Sequence, residues 1–412
     1  MKQQAVLQQL RAAICLLQSP EGVELRRSLP ALVQPRVLVA WRNQYGDPLA
    51  GWLARLCELT PKARAKLGPW SESWLFTRRS LEQASSWRIA KYKASRLPAQ
   101  SRVIDLCCGL GVDLAAFAAV GWAMGIERDP ELCLIAAANA SCVAPQRVAT
   151  ICADARRCSQ SANRWIHADP DRRHMGKRAT AGERLEPGLG CLWQIQSQAA
   201  GAVIKLAPAT VVDPEYAKQA ELEWISESHE CKQQLIWRGE PFACKARRAT
   251  RICSDGESVS FVGSPQTACS TVTDPLDWLI DFDPAIRAAG LSESFAEAHG
   301  LLAVGGPHGF FTTDCAGSAS ESLLHGLARR FKVESVVRLD RRTIRHELRA
   351  QRVRVTAVHP RAVRGGWPTD PRLWNDQSTT SDSTRHRVLL LSQAGQSGFA
   401  AICSSAESNL DH

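Results

Sequence analysis

No stretch of the 412-residue sequence reaches the roughly 18 consecutive apolar residues that cross a bilayer, so a membrane-spanning helix is excluded at the outset. Paired metal ligands are missing too. None of the 15 cysteines stands in C-x-x-C spacing; Cys107 and Cys108 are adjacent, and Cys231, Cys244 and Cys253 have no recognisable histidine set, so no metal is expected. Residues 1–19 hold no compact apolar core followed by a cleavage site, and the odd, scattered cysteines form no disulfide framework. The expectation is a cytoplasmic protein whose thiols serve as small buried hydrophobes. Acidic residues are in deficit: 41 Asp and Glu against 51 Lys and Arg leave a formal charge of +10, compatible with a polyanionic partner. Hydrophobic residues at 45% and charged ones at 22% are ordinary for a globular chain, and the length allows two or three domains.

What is present begins with helices. Residues 1–97 carry leucines and alanines at three- and four-residue spacings in 4–17 and 49–59, and Pro20, Pro30, Pro35, Pro48, Pro61 and Pro69 cut the region into short helices. Within it, residues 74–94 (W-L-F-T-R-R-S-L-E-Q-A-S-S-W-R-I-A-K-Y-K-A) predict an amphipathic helix starting at Thr77 and Ser80. Its basic residues are Arg78, Arg79, Arg88, Lys91 and Lys93. They make either a solvated face on a helix packed beneath the next domain or a substrate-touching face.

After Pro98 the pattern changes. Residues 103–113 (V-I-D-L-C-C-G-L-G-V-D) predict a strand, a glycine turn and the start of a helix. The third glycine of a dinucleotide loop is absent, its place taken by Leu114. Asp105, Gly109 and Gly111 fit instead the D-x-x-x-G-x-G pattern that binds S-adenosylmethionine, where no pyrophosphate needs seating and a carboxylate serves the amino group. A second strand, 121–127, ends in Glu127, placed to accept both ribose hydroxyls. A helix over 130–140 leads to a third strand, 148–152, and Asp154 follows where an acid meets the adenine amino group. The fourth strand, 164–168, ends in Asp169-Pro170, and open α/β sheets carry their chemistry at such carboxyl ends.

Enzymes that methylate amino or ring nitrogens use Asp/Asn-Pro-Pro-aromatic at that position. The second proline and the aromatic are absent here, so stacking on a base would fall to Trp165, Trp193 or Trp74. Arg172, Arg173, Lys177 and Arg178 follow and could guide a phosphate backbone. No Ser/Pro-Cys-Asn/Gln motif offers a cysteine nucleophile. A fifth strand over 201–207, a hairpin from 222–226 to 234–237, and a strand over 247–253 complete the sheet, with a domain boundary expected near 265–276. Beyond it come a helix or helix pair over 284–299, then strand, helix and strand over 333–339, 340–351 and 353–358. Between Arg329 and Arg364 twelve basic residues face three acidic ones, Glu334, Asp340 and Glu347, nearly the whole net charge. Arginine suits bidentate phosphate contact, so this segment is the expected nucleic-acid surface. A Thr-, Ser-, Asp- and Pro-rich insert spans 365–385, before final strands at 387–391 and 399–402.

Taken together, residues 74–94, D-L-C-C-G-L-G-V-D, I-H-A-D-P-D-R-R, G-A-V-I-K-L-A-P and E-C-K-Q-Q-L-I-W-R-G resemble the bacterial class I SAM-dependent methyltransferases that carry a THUMP-like C-terminal domain. The similarity runs over about residues 70–365, and in those relatives D-P-x-R-R is the usual form. The resemblance implies an α/β fold: a Rossmann-like class I sheet at 98–268, an N-terminal helical region at 1–97, and a smaller α+β THUMP-like domain at 276–412. It also implies S-adenosyl-L-methionine held by Asp105, Gly109, Gly111, Glu127 and Asp154. The acceptor would be placed by Asp169 and Pro170, and RNA (tRNA or rRNA) bound by Arg172, Arg173, Arg341, Arg342 and Arg345. The rival expectations are a non-catalytic RNA-binding protein that keeps the fold, and a small-molecule or protein methyltransferase.

Overall fold

The computed structural model describes residues 2–30, 32–158, 162–171, 173–174, 177–178, 185–242, 245–306, 308–314, 326–363, 365–375, 385–394 and 397–405. By backbone contacts the chain forms two units, residues 1–221 with 234–245, and residues 222–233 with 246–412. Residues 265–276, where the sequence reading expected a domain boundary, lie inside the second unit.

The first unit opens with four helices, α1 (Lys2–Leu17), α2 (Pro20–Arg27), α3 (Pro35–Tyr45) and α4 (Asp47–Leu67); Pro20, Pro35 and Pro48 stand in first turns as the punctuation predicts, whereas Pro61 lies inside α4 and does not end it. Trp70, Trp74 and Trp87 pack as a triangle with ring centroids 5.7–6.0 Å apart, which fixes the chain leaving α4. The buried Arg26 guanidinium donates to the carbonyls of Ser71 (3.1 Å) and Trp74 (2.6 Å), satisfying backbone that has no helical partner. The amphipathic segment forms two helices, not one. α5 (Arg78–Gln83) begins at a capping box between Thr77 and Ser80, and α6 (Trp87–Ser95) begins at the Ser86 cap, so the polar run Gln83–Ser86 breaks the periodicity.

Strands β1 (Arg102–Leu106), β2 (Trp122–Glu127), β3 (Val148–Cys152), β4 (Trp165–Ala168), β7 (Gly201–Leu206) and β9 (Glu230–Arg238) run in the order β9-β7-β4-β1-β2-β3. All neighbours are parallel except β9, antiparallel to β7. Between β4 and β7 a two-residue ribbon pairs β5 (Arg173–His174) with β6 (Lys177–Arg178). Helices α7 (Val112–Val120) and α8 (Pro130–Val143) make the crossovers. Their buried alanines and β1's buried run allow close helix-on-sheet packing. Because the chain steps outward from β1 to β2 and β3 and returns to β4 on the other side, the strand order reverses between β1 and β4. A crevice opens there at the strands' carboxyl ends.

In the second unit, β8 (Glu221–Glu227) pairs in parallel with β10 (Arg247–Ile252), and β11 (Ser258–Gly263) adds antiparallel to β10. The hairpin from β8 turns at Ser228-His229, both at positive φ (52 and 56), the backbone of a type I′ turn. An eight-stranded sheet follows in the order β12-β14-β15-β13-β16-β19-β18-β17. Its members are β12 (Thr271–Val272), β13 (Trp278–Phe282), β14 (Leu302–Val304), β15 (Phe311–Thr313), β16 (Ala328–Arg338), β17 (Val353–Arg361), β18 (Arg385–Ala394) and β19 (Ser397–Ser405). Successive residues of β18 pack on opposite faces, Leu389 and Leu391 with Ile344 and Leu348, Val388 and Leu390 with Leu279 and Phe331.

One strand departs from the sequence reading for a clear cause. Trp278–Phe282 forms a strand where the sequence reading placed no element; Asp281 is buried and Asp283 caps the helix Pro284–Ala288, so the acids serve packing and capping. Of the helix or helix pair expected over 284–299 the pair forms, Pro284–Ala288 and Ser292–Ala298, divided at Gly290 with φ 66. Residues 365–375 of the expected insert are ordered: Trp367 stacks on Trp374 with planes 3° apart, and Arg341 and Arg345 donate to the carbonyls of Gly366 and Leu373.

Candidate active site

A cavity of about 430 Å³ lies at the carboxyl ends of β1, β2 and β4, and is lined by Asp105, Gly109, Glu127, Asp154, Asp169 and Pro170. That volume falls in the ~300–1,000 Å³ range of small-molecule sites. Gly111 does not line it. Its φ is 83, and a Cβ there would stand 3.0 Å from the backbone of Ala136, so this glycine serves the close approach of α7 to α8. Gly109 has φ 53 and an opposite environment: a Cβ would meet no other atom closer than 3.9 Å. Cys107, at φ 60, turns left-handed as well, a conformation that costs a residue with a Cβ ~1–2 kcal/mol. It tightens the turn between the end of β1 and the glycines.

Glu127 is buried at the end of β2, where its Oε2 accepts the Gly109 N–H and its Oε1 the Asp129 N–H, both at 3.0 Å. Each oxygen keeps a second lone pair, so the carboxylate is oriented by backbone yet able to accept a vicinal diol. Asp154 lies on the cavity wall with its carboxylate held by Arg156, which lowers its pKa to about 2. Asp105 is buried; its Oδ1 is 2.5 Å from His167 Nδ1, and its Oδ2 has no partner. A buried carboxylate oxygen without a donor is costly, and the amino group of an amino-acid-bearing ligand would satisfy it.

At the end of β4, Asp169 Oδ2 takes a bond of 2.6 Å from Lys205 Nζ on β7. Pro170 follows in the cavity wall, and Asp171 forms an ion pair of 3.5 Å with Arg79 of α5. Thr77, Ser80, Gln83 and Ser85 complete this wall, so the segment before the sheet borders the same cavity. Lys93, expected on a solvated or a substrate-touching face, is fully buried and pairs with Asp113 at 2.6 Å. Of the three candidate stacking rings, Trp74 and Trp165 are buried among other aromatics, and Trp193 packs on Tyr216 with centroids 4.6 Å apart. None of the three lines the cavity.

Arg172 lies outside the described residues, and Arg173 starts the short ribbon. Arg341, Arg342 and Arg345 are exposed on the helix Arg341–Ala350 in the second unit. His167, Lys205 and Asp113 went unnoticed in the sequence. Their signal was a lone polar residue inside an otherwise apolar run, W-I-H-A, G-A-V-I-K-L-A and V-D-L-A-A-F. Among the described residues no group of His, Cys, Asp and Glu could hold a metal, and no helix is long and apolar enough to cross a membrane.

No family model matches the chain. It is 28% identical over 269 residues, 63% of this chain and 73% of the relative, to an uncharacterized S-adenosylmethionine-dependent methyltransferase of Mycobacterium tuberculosis strain CDC 1551. The counterpart from strain H37Rv matches with the same figures. Among solved structures, a putative methyltransferase from Porphyromonas gingivalis superposes with a TM-score of 0.71 at 19% identity, over 91% of this chain and 100% of that one. The first unit thus has the Rossmann-like fold of the methyltransferases, with its crevice lined by Asp105, Gly109 and Glu127.

Proposed function

We propose that the protein is a SAM-dependent methyltransferase that methylates a base in structured RNA, tRNA or rRNA. The observation that carries the first part is the orphaned Asp105 Oδ2 in the same cavity as Glu127 and the open face of Gly109. Asp105 would take the ammonium of the donor, Glu127 the ribose hydroxyls, and the Asp154 region the adenine. When bound, the cofactor supplies an electrophilic methyl group. The chain's own residues hold the acceptor in line with it and accept its proton. Asp169 is suited to that. Lys205 fixes the carboxylate from one side, and an acceptor N–H can bind the other.

The RNA assignment rests on charge and on the resemblance to relatives with a THUMP-like domain. The helix Arg341–Ala350 shows four arginines to solvent in the segment that holds most of the chain's excess positive charge. The absence of an aromatic after Pro170 argues for an acceptor stacked by its own RNA neighbours rather than by the protein.

Calorimetry with S-adenosylhomocysteine tests the cofactor half. Gly109→Arg fills the open face and should abolish binding; retained binding would overturn the assignment. For the substrate half, modified nucleosides of a deletion strain are compared with the parent by mass spectrometry, and the missing methyl mark should reappear in vitro with purified enzyme. An unchanged nucleoside profile, with transfer to a small molecule or a protein instead, would refute the RNA reading.

A further inference from the structure

The N-terminal helical segment delivers a buried cation to the floor of the cofactor site. Lys93, near the end of α6, is fully buried, with Nζ 2.6 Å from Asp113 Oδ1 and 3.2 Å from His167 Nε2. Ser85, on the link between α5 and α6, donates to Asp113 Oδ2 at 2.9 Å. His167 Nδ1 then lies 2.5 Å from Asp105 Oδ1, and Asp105 Oδ2 is the carboxylate oxygen with no partner. Burial pushes the Lys93 amine down, while Asp113 opposes this. Asp113 in turn is held well below the usual carboxylate range by Lys93 despite its own burial. The two therefore form an ion pair.

An ammonium has protons to give and no lone pair. Its contact with His167 Nε2 makes that nitrogen the acceptor, so the ring proton sits on Nδ1 and is donated to Asp105. The direction of the whole chain is set: Lys93 to His167 to Asp105 Oδ1. The bond on Oδ1 favours one orientation of the carboxyl group, and burial raises its pKa above the ordinary carboxylate value.

We propose that Lys93 and His167 are positioning residues for the donor: through the Asp105 Oδ1 contact they turn the carboxyl group so that Oδ2 receives the ammonium of the amino-acid end of S-adenosylmethionine. This rests on the cofactor reading above and extends the cofactor site to a helix outside the sheet. It also accounts for a lysine where an apolar residue would cost less to bury.

The test uses two ligands with the same nucleoside, S-adenosylhomocysteine, which carries the ammonium, and 5′-methylthioadenosine, which lacks the amino-acid end. Calorimetry on the full chain should show that Lys93→Met and His167→Phe weaken S-adenosylhomocysteine at least tenfold and change 5′-methylthioadenosine less than twofold. His167→Asn, whose amide nitrogen can replace Nδ1, should recover most of the affinity. Lys93→Met paired with Asp113→Asn removes the uncompensated buried charge, so that the effect can be read in a folded protein, as checked by its melting temperature. Equal losses for both ligands, or no loss, would overturn the proposal. Binding of neither ligand by the wild type would instead overturn the cofactor reading beneath it.

Discussion

His359 lies at the end of β17, where burial first and the Arg329 guanidinium second press its imidazolium from the ordinary 6.5 down to about 4. The unfolded chain takes up this proton near pH 6.5 and the folded one only near 4. The stabilisation is therefore complete above pH 6.5 and is lost as pH falls through that window. His359→Gln removes the titrating group, so wild type at pH 5 should lose ~2 kcal/mol relative to the variant compared with the difference at pH 8. Urea unfolding at both values measures it; a difference that does not change with pH would contradict the burial seen here. Asp281 works in the same direction at lower pH. Its carboxylate bonds Arg287, Arg329 and Arg361 and is held at about 2, so its contribution persists above the normal carboxylate range and fades as pH drops toward 2. The two glycines of the loop separate by role at this scale. Gly111→Ala adds a Cβ against Ala136 at positive φ and should cost ~1–3 kcal/mol of stability, visible as a lowered melting temperature. Gly109→Ala meets no neighbour, so beyond the ~1–2 kcal/mol of its left-handed φ it should lose affinity for S-adenosylhomocysteine.

Between elements, Asn139 of α8 is the tie. Its Oδ1 accepts the Leu75 N–H at 2.9 Å, and its Nδ2 donates to the carbonyls of Leu75 (2.9 Å) and Leu110 (3.1 Å), joining the N-terminal segment, the crossover helix and the glycine loop. Asn139→Leu leaves three buried backbone groups unpaired, a loss of ~2–4 kcal/mol, and should expose the chain around residues 74–86 to limited proteolysis before the sheet unfolds. Unchanged cleavage there would show that the segment holds without the amide. The sequence made much of this scaffold legible. β1, β2, β3, β4 and β7 and the acids at their ends follow from apolar runs broken by Asp and Glu, because a parallel strand buried on both faces must be continuously apolar. β13 and β11 were not legible. In W-L-I-D-F the buried Asp281 is neutralised by arginines far along the chain, and V-S-F-V alternates too briefly between turn residues. The inner network of the site escaped for the same reason. Lys93 looks like surface charge on a helical wheel, and only the packing of α6 against α7 turns it inward.

Across the whole molecule, charge is distributed by task. The first unit buries its ionised side chains in pairs around one cavity, while the second carries arginines on the outer face of the helix Arg341–Ala350. Phosphate contacts made by such residues release counterions, so they appear as a dependence of affinity on salt. Replacing Arg341, Arg342 and Arg345 together by glutamine should weaken RNA binding about tenfold or more at low salt and reduce the slope of log affinity against log salt by roughly 2 to 3. Affinity for S-adenosylhomocysteine should stay as it is, since none of the three lines the donor cavity. Arg341 and Arg345 also donate to the carbonyls of Gly366 and Leu373, so their loss could act by loosening residues 365–375. Arg342→Gln alone is the control: no such bond to that segment involves Arg342, and a phosphate contact should still lower the slope by about 1. RNA affinity that is insensitive to salt, or unchanged by all three substitutions, would remove this helix from the substrate surface and leave the acceptor to be sought at the cavity mouth alone.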